Sequence, residues 1–121
     1  MIKYSLTCLG QDYLLNPSRN KKDCITVEYF RNAILIYMLS IKEVYIPREF
    51  KGYITSLSIL DKSDKVFMNT RDYPIWKHHI DRAKQYLLDN QYFYEKEEKF
   101  YISSAKVIKI YNELSAYIRR K

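Results

Sequence analysis

Glycine and proline are scarce in this sequence of 121 residues, which contains two glycines and three prolines. Disordered and loop-rich chains are usually enriched in both, so their scarcity favours a folded domain. The two cysteines cannot build a disulfide framework, which favours a reducing compartment. No stretch approaches the roughly 18 consecutive apolar residues of a membrane-spanning helix. We therefore expect one soluble domain over residues 1–121, located in the cytoplasm and without a membrane partner.

Positive charge is in excess, with a net charge of +7 and an isoelectric point near 9.3. Residues 1–22 carry +3 and residues 105–121 carry +4, whereas residues 23–70 are balanced. A basic chain associates readily with polyanions, but this property bears on affinity and solubility rather than on fold. The charge distribution indicates basic ends and does not by itself identify a nucleic-acid-binding patch.

Three central segments have apolar residues at three- and four-residue steps, which predicts three helices. The first helix follows Thr26, a typical capping residue, and the second opens on Pro47, which suits a first turn. The stretch "VYI" between them reads as a short strand. The third helix, 72–89, is capped by Asp72 and ends before Asn90, which we expect to be left-handed. Its buried stripe is Trp76, Ile80, Ala83 and Leu87.

The remaining segments predict a hairpin, a last helix and an N-terminal extension. "YFYEKEEKFYIS" has two aromatic runs around a charged tip, which suits a hairpin with a four-residue loop. Residues 104–121 form the C-terminal helix, with Ser104 as its cap. Residues 1–25 are a strand and loop extension, in which "GQDYLLNPSRNKKD" reads as a turn and polar loop. In the connection before the third helix, the candidates for core packing are Val66, Phe67 and Met68.

The predicted order of elements is helix, short strand, helix, helix, hairpin and helix. This is the order of a winged helix, a three-helix variant of the helix-turn-helix with a β-hairpin after its third helix. The predicted fold class is therefore α+β and mostly helical. In such a fold the third helix enters the major groove of DNA and the hairpin is the wing beside it.

The third helix presents a polar side opposite its apolar stripe. At about 100° per residue, Arg82 and Gln85 lie on this side, and Lys77 and Lys84 flank it. Arginine pairs with guanine and glutamine with adenine, while lysine and histidine reach phosphates. With one preceding arginine and two hairpin lysines, the candidate DNA-binding residues are Lys77, His78, Arg82, Gln85, Lys84, Arg71, Lys96 and Lys99.

Acidic residues support a plainer interpretation of the same helix and hairpin. Asp81 and Asp89 share the polar side of the helix and would repel phosphate. The hairpin tip "EKEEK" has more acids than bases, so a solvated turn that keeps an edge strand from aggregating is the plainer reading. A charged outer face is common to all surface helices, and a partner protein could use it as well as DNA could.

The stretch "PIWKHHIDRAKQYLLDNQYFYEKEEKFYIS" resembles the end of the winged-helix domain at the N-terminus of Mrr-type restriction endonucleases. The resemblance extends over residues 27–105 and implies DNA binding. Asn90 stands where the family usually has glycine, and the acidic residue followed by Glu/Gln-x-Lys of the nuclease half has no counterpart on a strand. The resemblance therefore does not imply cleavage. The matching positions are Trp76, Ala83, Leu87, Asn90, Tyr92 and Tyr101.

Metal and catalytic motifs are missing from the sequence. His78 and His79 are adjacent, so on a helix they point about 100° apart, and Cys8 and Cys24 lack the spacing of a zinc site. There is no glycine-rich phosphate loop, no G-x-S-x-G and no H-E-x-x-H. We expect no metal, no cofactor and no enzymatic activity.

Three functional hypotheses follow from these patterns. The first is a DNA-binding regulator of a phage, plasmid or other mobile element, acting as a homodimer through its C-terminal helix. The alternative is a protein-interaction module on the same fold, such as a phage-encoded inhibitor of a host defence complex. The third is a binder of single-stranded nucleic acid that uses exposed tyrosines, for which Tyr92, Tyr94 and Tyr101 are the candidates.

Overall fold

The computed structural model describes residues 8–67 and 73–119 of the protein. Within these residues the fold class is α+β and mostly helical, as predicted. The strands are β1 (Val44–Tyr45), β2 (Phe93–Lys96) and β3 (Lys99–Ile102). The helices are α1 (Cys8–Leu15), α2 (Val27–Ser40), α3 (Pro47–Ser56), α4 (Ile75–Asp89) and α5 (Val107–Arg119), with 3₁₀ turns at Lys62–Lys65 and Ser104–Lys106.

Helix α2 is the central element of the core. It begins after Thr26, whose side-chain oxygen accepts a hydrogen bond from the Tyr29 backbone N–H at 3.1 Å, as the predicted cap requires. Every residue from Ala33 to Leu39 is buried. Apolar residues at three- and four-residue steps predict burial of one side only, but α4, α5 and β1 pack around α2 from several sides. The stretch from Ala33 to Leu39 is apolar on all sides, as is typical of a helix in a protein core.

The three strands form one antiparallel sheet in the order β1-β3-β2. Its inner face buries Tyr45, Phe93 and Phe100, whose rings lie 5.4–6.1 Å apart. The hairpin loop has two residues, Glu97 and Glu98, and not the four that were predicted. Both have positive φ, 53° and 66°, as a type I′ turn requires, and this turn matches the twist of the flanking strands.

The N-terminal extension differs from its prediction. Residues from Gly10 to Leu15, expected as a turn and loop, belong to α1. Tertiary contacts explain the difference: the Tyr13 ring stacks on Tyr29 at 5.5 Å, and the Tyr29 hydroxyl donates to the Leu14 carbonyl at 2.6 Å. The strand expected in this extension rests on the alternation of Ile2, Tyr4, Leu6 and Cys8. Residues 1–7 lie outside the described part of the chain, and Cys8 begins the helix.

The ends of α4 also differ from the predicted helix 72–89. The helix begins at Ile75, with Pro74 in the capping position, whereas the predicted cap Asp72 lies outside the described residues. Asn90 has φ −96° and is not left-handed; the left-handed residue is Gln91, with φ 61°. The C-terminal helix begins with a 3₁₀ turn at Ser104, so α5 starts three residues later than expected.

Val66 and Phe67 are not core residues, since they are 59% and 56% exposed. The Val66 carbonyl accepts a hydrogen bond from the Ile75 backbone N–H at 2.8 Å, and Phe67 forms a β-bridge with Pro74. This pairing places Val66 and Phe67 at the surface, beside Pro74 and Ile75 at the start of α4. Met68, the third residue expected in the core, lies outside the described residues.

A fully buried carboxylate joins the two long connections of the fold. The Oδ1 atom of Asp64 accepts a hydrogen bond from the Ile25 backbone N–H at 2.8 Å. Its Oδ2 atom accepts from the Asp61 backbone N–H at 2.9 Å and from Arg19 Nη1 at 3.0 Å. We refer to Arg19, Ile25, Asp61 and Asp64 as the Asp64 cluster. It fastens the loop before α2 to the 3₁₀ turn at residues 62–65.

The Asp64 cluster predicts unequal costs for the same substitution at two aspartates. In Asp64→Asn, either orientation of the amide sets its NH₂ group against a donor, because both carboxylate oxygens accept hydrogen bonds. We expect the free energy of unfolding to fall by about 3 kcal/mol. Asp61 is 3.4 Å from Arg19 but its side chain is 63% exposed, so Asp61→Asn is expected to cost less than about 1 kcal/mol. Urea denaturation of both variants measures this difference, and equal costs would contradict the assigned role of Asp64.

Two buried tyrosines predict opposite effects of removing a hydroxyl. The Tyr29 hydroxyl is bonded to the Leu14 carbonyl, whereas the Tyr45 hydroxyl has no hydrogen-bond partner in the described part of the chain. Tyr29→Phe is therefore expected to lower the free energy of unfolding by about 1 kcal/mol. Tyr45→Phe is expected to leave it unchanged or raise it, because an unpaired buried hydroxyl is unfavourable. A loss of stability in Tyr45→Phe comparable to that in Tyr29→Phe would count against this assignment.

The same two hydroxyls predict a loss of stability at high pH. Burial raises the pKa of both Tyr29 and Tyr45 above the ordinary value. Their contribution to stability is therefore complete below the unfolded-state pKa of about 10 and is lost as the pH rises above it, because only the unfolded chain releases these protons. We expect urea midpoints to fall above about pH 10, and less steeply in Tyr45→Phe. An equal slope in Tyr45→Phe and the unsubstituted protein would contradict this.

Candidate nucleic-acid interface

The apolar stripe of α4 packs as its spacing predicts. Trp76, Ile80, Ala83 and Leu87 are all buried, and α4 packs against α2 more extensively than against any other described element. One further residue of this helix is buried: His79, whose Nδ1 lies 2.8 Å from the Ile25 carbonyl oxygen. A carbonyl only accepts, so Nδ1 carries the proton. His79 is therefore a structural residue that attaches α4 to the Asp64 cluster.

Four of the eight predicted DNA-binding residues lie together on the outer side of α4. Arg82 and Gln85 are exposed, while Lys77 and His78 are half-buried beside them. Arg82 forms no ion pair or hydrogen bond with any residue that the structure describes. Its guanidinium is therefore available to a ligand.

Both acids on this side of α4 already have partners. Asp81 lies 3.2 Å from Lys51 Nζ and accepts a hydrogen bond from the Tyr73 hydroxyl at 2.6 Å. Asp89 accepts a hydrogen bond from Gln85 Nε2 at 2.8 Å. The repulsion of phosphate expected from Asp81 is therefore reduced by the neighbouring ammonium group. The pairing of Gln85 makes this residue less available to DNA. Its amide is bonded to Asp89 and has to give up this hydrogen bond before it can contact a base.

A groove of about 700 Å³ lies between α3 and the first half of α4. Its charged lining consists of Arg48, Lys51, Lys77 and Asp81, so three positive groups face one negative group. Arg48 and Lys51 were not among the residues predicted to bind DNA. Their three-residue spacing in "PREFKG" places them on one side of α3 and was a usable signal. We name Arg48, Lys51, Lys77, His78 and Arg82 the α3–α4 surface.

The other predicted residues that the structure describes, Lys84, Lys96 and Lys99, do not belong to the α3–α4 surface. Lys84 extends towards the sheet, with its Nζ 5.4 Å from the centre of the Phe100 ring. Lys96 and Lys99 face each other across the hairpin, next to the turn. Arg71 lies outside the described residues. The candidates therefore separate into a helical group and a hairpin group.

The thiol of Cys24 is not placed for nucleophilic chemistry. It is buried, and its Sγ donates a hydrogen bond to the Ser63 carbonyl at 3.4 Å. Burial, followed by the negative charge of Asp64, raises the pKa of this thiol. A raised pKa disfavours the thiolate, which is the reactive form. Among the side chains that the structure describes, no three His, Cys, Asp or Glu residues are grouped to hold a metal ion.

None of the helices in residues 8–67 and 73–119 combines the length and the apolar character needed to cross a bilayer. Comparisons of the chain with protein-family models, with curated proteins and with solved structures found no match. The resemblance to the winged-helix domain of Mrr-type endonucleases therefore stays a prediction from the residues that carry it.

Proposed function

We propose that the protein binds double-stranded DNA through the α3–α4 surface, with α4 lying in the major groove. The observation that carries the proposal is the charge of this surface: Arg48, Lys51 and Lys77 line one groove, and its single acid, Asp81, is already paired within the protein. A surface whose positive groups outnumber its acids has free donors for phosphate oxygens. Phosphate contacts supply most of the affinity of DNA-binding proteins.

The order and pairing of the elements support a winged helix as the scaffold of this activity. Helices α2, α3 and α4 would be the three helices, β1 the strand between the first two, and β2 and β3 the wing. The connection between α3 and α4 is long, covering residues 57–74, whereas the turn of a helix-turn-helix usually has three or four residues. The proposed scaffold is therefore a winged helix in which the connection before the recognition helix is longer than usual.

Three residues of the α3–α4 surface, and Gln85 next to it on α4, have proposed roles of two kinds. Arg82 is exposed and unpaired on the outer side of α4, so it is the residue proposed to read a base edge, with guanine as the preferred partner. Arg48 and Lys77 line the groove and are proposed to contact phosphates. Gln85 is a second reader only if it exchanges Asp89 for adenine, which reduces its expected contribution.

A protein partner is the second candidate function, and one observation favours it. Val66 and Phe67 are adjacent, exposed and paired with Ile75 and Pro74 at the start of α4. The hairpin tip carries the acidic residues Glu97 and Glu98. Neighbouring apolar side chains at the surface are typical of protein contacts. Three further statements stay predictions: that the protein regulates a mobile element, that it is located in the cytoplasm, and that it forms a homodimer through α5. The exposed Ile108 on α5 supports the dimer.

Substitutions on the α3–α4 surface should separate sequence reading from phosphate binding. After selection of a preferred duplex from a random library, Arg82→Ala is expected to weaken its binding about 5- to 100-fold and to spare random duplexes. Arg48→Ala with Lys77→Ala should weaken binding to all duplexes and reduce the salt slope of log K by about 1.8. Fluorescence anisotropy at several salt concentrations measures both effects.

The matched control removes the same charge elsewhere: Lys21→Ala with Lys22→Ala, two exposed lysines in the loop before α2. This control should change the salt slope much less than the substitutions in the groove. If the unsubstituted protein fails to bind duplex DNA at low salt, the proposal is wrong. A single stoichiometric protein partner that survives nuclease treatment would then support the second candidate.

A further inference from the structure

The outer face of the sheet carries a row of apolar side chains. Val44, Tyr101 and Tyr94 are in register across β1, β3 and β2 and therefore lie on the same face. The rings of Tyr94 and Tyr101 are stacked, with centroids 5.8 Å apart and planes at 30°. Tyr94 is 51% exposed, unlike the rings of Phe93 and Phe100 on the inner face. Stacking between the tyrosines stabilises the hairpin, but it does not require so much exposure of Tyr94.

A second row on the same face consists of two lysines. Lys96 and Lys99 are directly opposite each other, next to the turn, and both are exposed. Like charges in this position destabilise a hairpin. Glu95, Glu97 and Glu98 are neighbours in sequence, yet within the described residues neither lysine forms an ion pair. Repulsion between the two ammonium groups lowers the stability of the hairpin, and a bound polyanion would reduce this repulsion.

We propose that this outer face, Val44, Tyr94, Tyr101, Lys96 and Lys99, binds a single strand of nucleic acid. The tyrosine row stacks bases, and the lysine row neutralises phosphates. Two residues along a strand advance by about 6.8 Å, a separation that the sugar of one nucleotide can bridge. Stacking on aromatic rings beside positive charges is the common means of binding single strands without sequence preference.

The chemistry of this face favours a single strand over a duplex. A duplex keeps the faces of its bases stacked on one another, so an exposed ring such as that of Tyr94 has nothing to stack on. The residues proposed here are also separate from the α3–α4 surface, since none of them lies on α3 or α4. Binding at the two surfaces can therefore be tested independently.

The decisive experiment measures binding of fluorescein-labelled oligo-dT of twelve nucleotides by anisotropy, with Tyr94→Ala as the test variant. The loss of one stacked base is expected to weaken binding about 5- to 100-fold. Tyr94→Phe keeps the ring and should retain the affinity. Tyr86→Ala removes a tyrosine that is 40% exposed on α4 and should also retain it, as should Arg82→Ala.

A second variant keeps the test valid if Tyr94→Ala impairs folding. Lys96→Ala with Lys99→Ala relieves the repulsion between like charges and is expected to raise the urea midpoint slightly. The same variant should reduce the salt slope of oligo-dT binding by about 1.4. Greater stability combined with weaker binding would not follow from a purely structural role of these lysines.

Three results would overturn the proposal. The first is the absence of oligo-dT binding by the unsubstituted protein at low salt. The second is binding that is weakened by Arg82→Ala and not by Tyr94→Ala, which would assign the single strand to the α3–α4 surface. The third is a dimer, detected by sedimentation, that Tyr94→Ala dissociates while oligo-dT binding stays unchanged. This last result would make the face an interface between copies of the protein.

Discussion

The buried ion pair between Arg19 and Asp64 is the interaction on which the arrangement of the fold depends. Asp64 is fully buried, and a buried carboxylate is tolerable only where donors surround it. The donors come from two connections, 16–26 and 57–66, that have little regular structure of their own. Arg19 also donates to the Ile59 and Asp23 carbonyls, at 2.7 Å each, so one guanidinium joins both connections. This polar cluster organises segments that hydrophobic burial alone would leave poorly determined.

Ile25 transmits this constraint to α4. Its backbone N–H is bonded to Asp64, and its carbonyl is bonded to His79 of α4, so both polar groups of one peptide residue are engaged. The side chain of Ile25 is fully buried as well. Helix α4 is thus held by its apolar stripe against α2 and by one hydrogen bond to the Asp64 cluster. Rotation of α4 about its axis would break that bond, which fixes the side of the helix that faces outward. The orientation of Arg82 therefore depends on a carboxylate that takes no part in binding.

Periodicity predicted the elements whose burial is regular, and it failed where long-range contacts decide. Trp76, Ile80, Ala83 and Leu87 have helical spacing, so α4 was predictable except for its first turn. Helix α1 was not predictable from its spacing. Tyr13 and Leu14 are held in place by Tyr29 of α2, which is distant from them in the sequence. The burial of Asp64 had no local signal, since aspartate is rarely buried and Arg19 is 45 residues away. The type I′ turn was not predicted, because Glu97 and Glu98 stand at positions where glycine or asparagine is usual.

The distribution of charge, rather than its total, connects the fold with the proposed activities. The net excess lies at the two ends of the sequence, but Arg19 is consumed by Asp64 and cannot bind a polyanion without unfolding the cluster. Two cations of the α3–α4 surface, Arg48 and Lys51, come from residues 23–70, which carry no net charge. Lys51 and Asp81 neutralise each other within the protein. Each ion pair formed on folding neutralises one acidic and one basic side chain, so neither is available to a charged ligand. Arg48, Lys77 and Arg82 on one surface and Lys96 and Lys99 on another are among the cations that form no ion pair with the described residues, so a polyanion can reach them. Folding thus groups free cations on two surfaces: the α3–α4 surface, and the outer face of the sheet, where Lys96 and Lys99 are opposite each other.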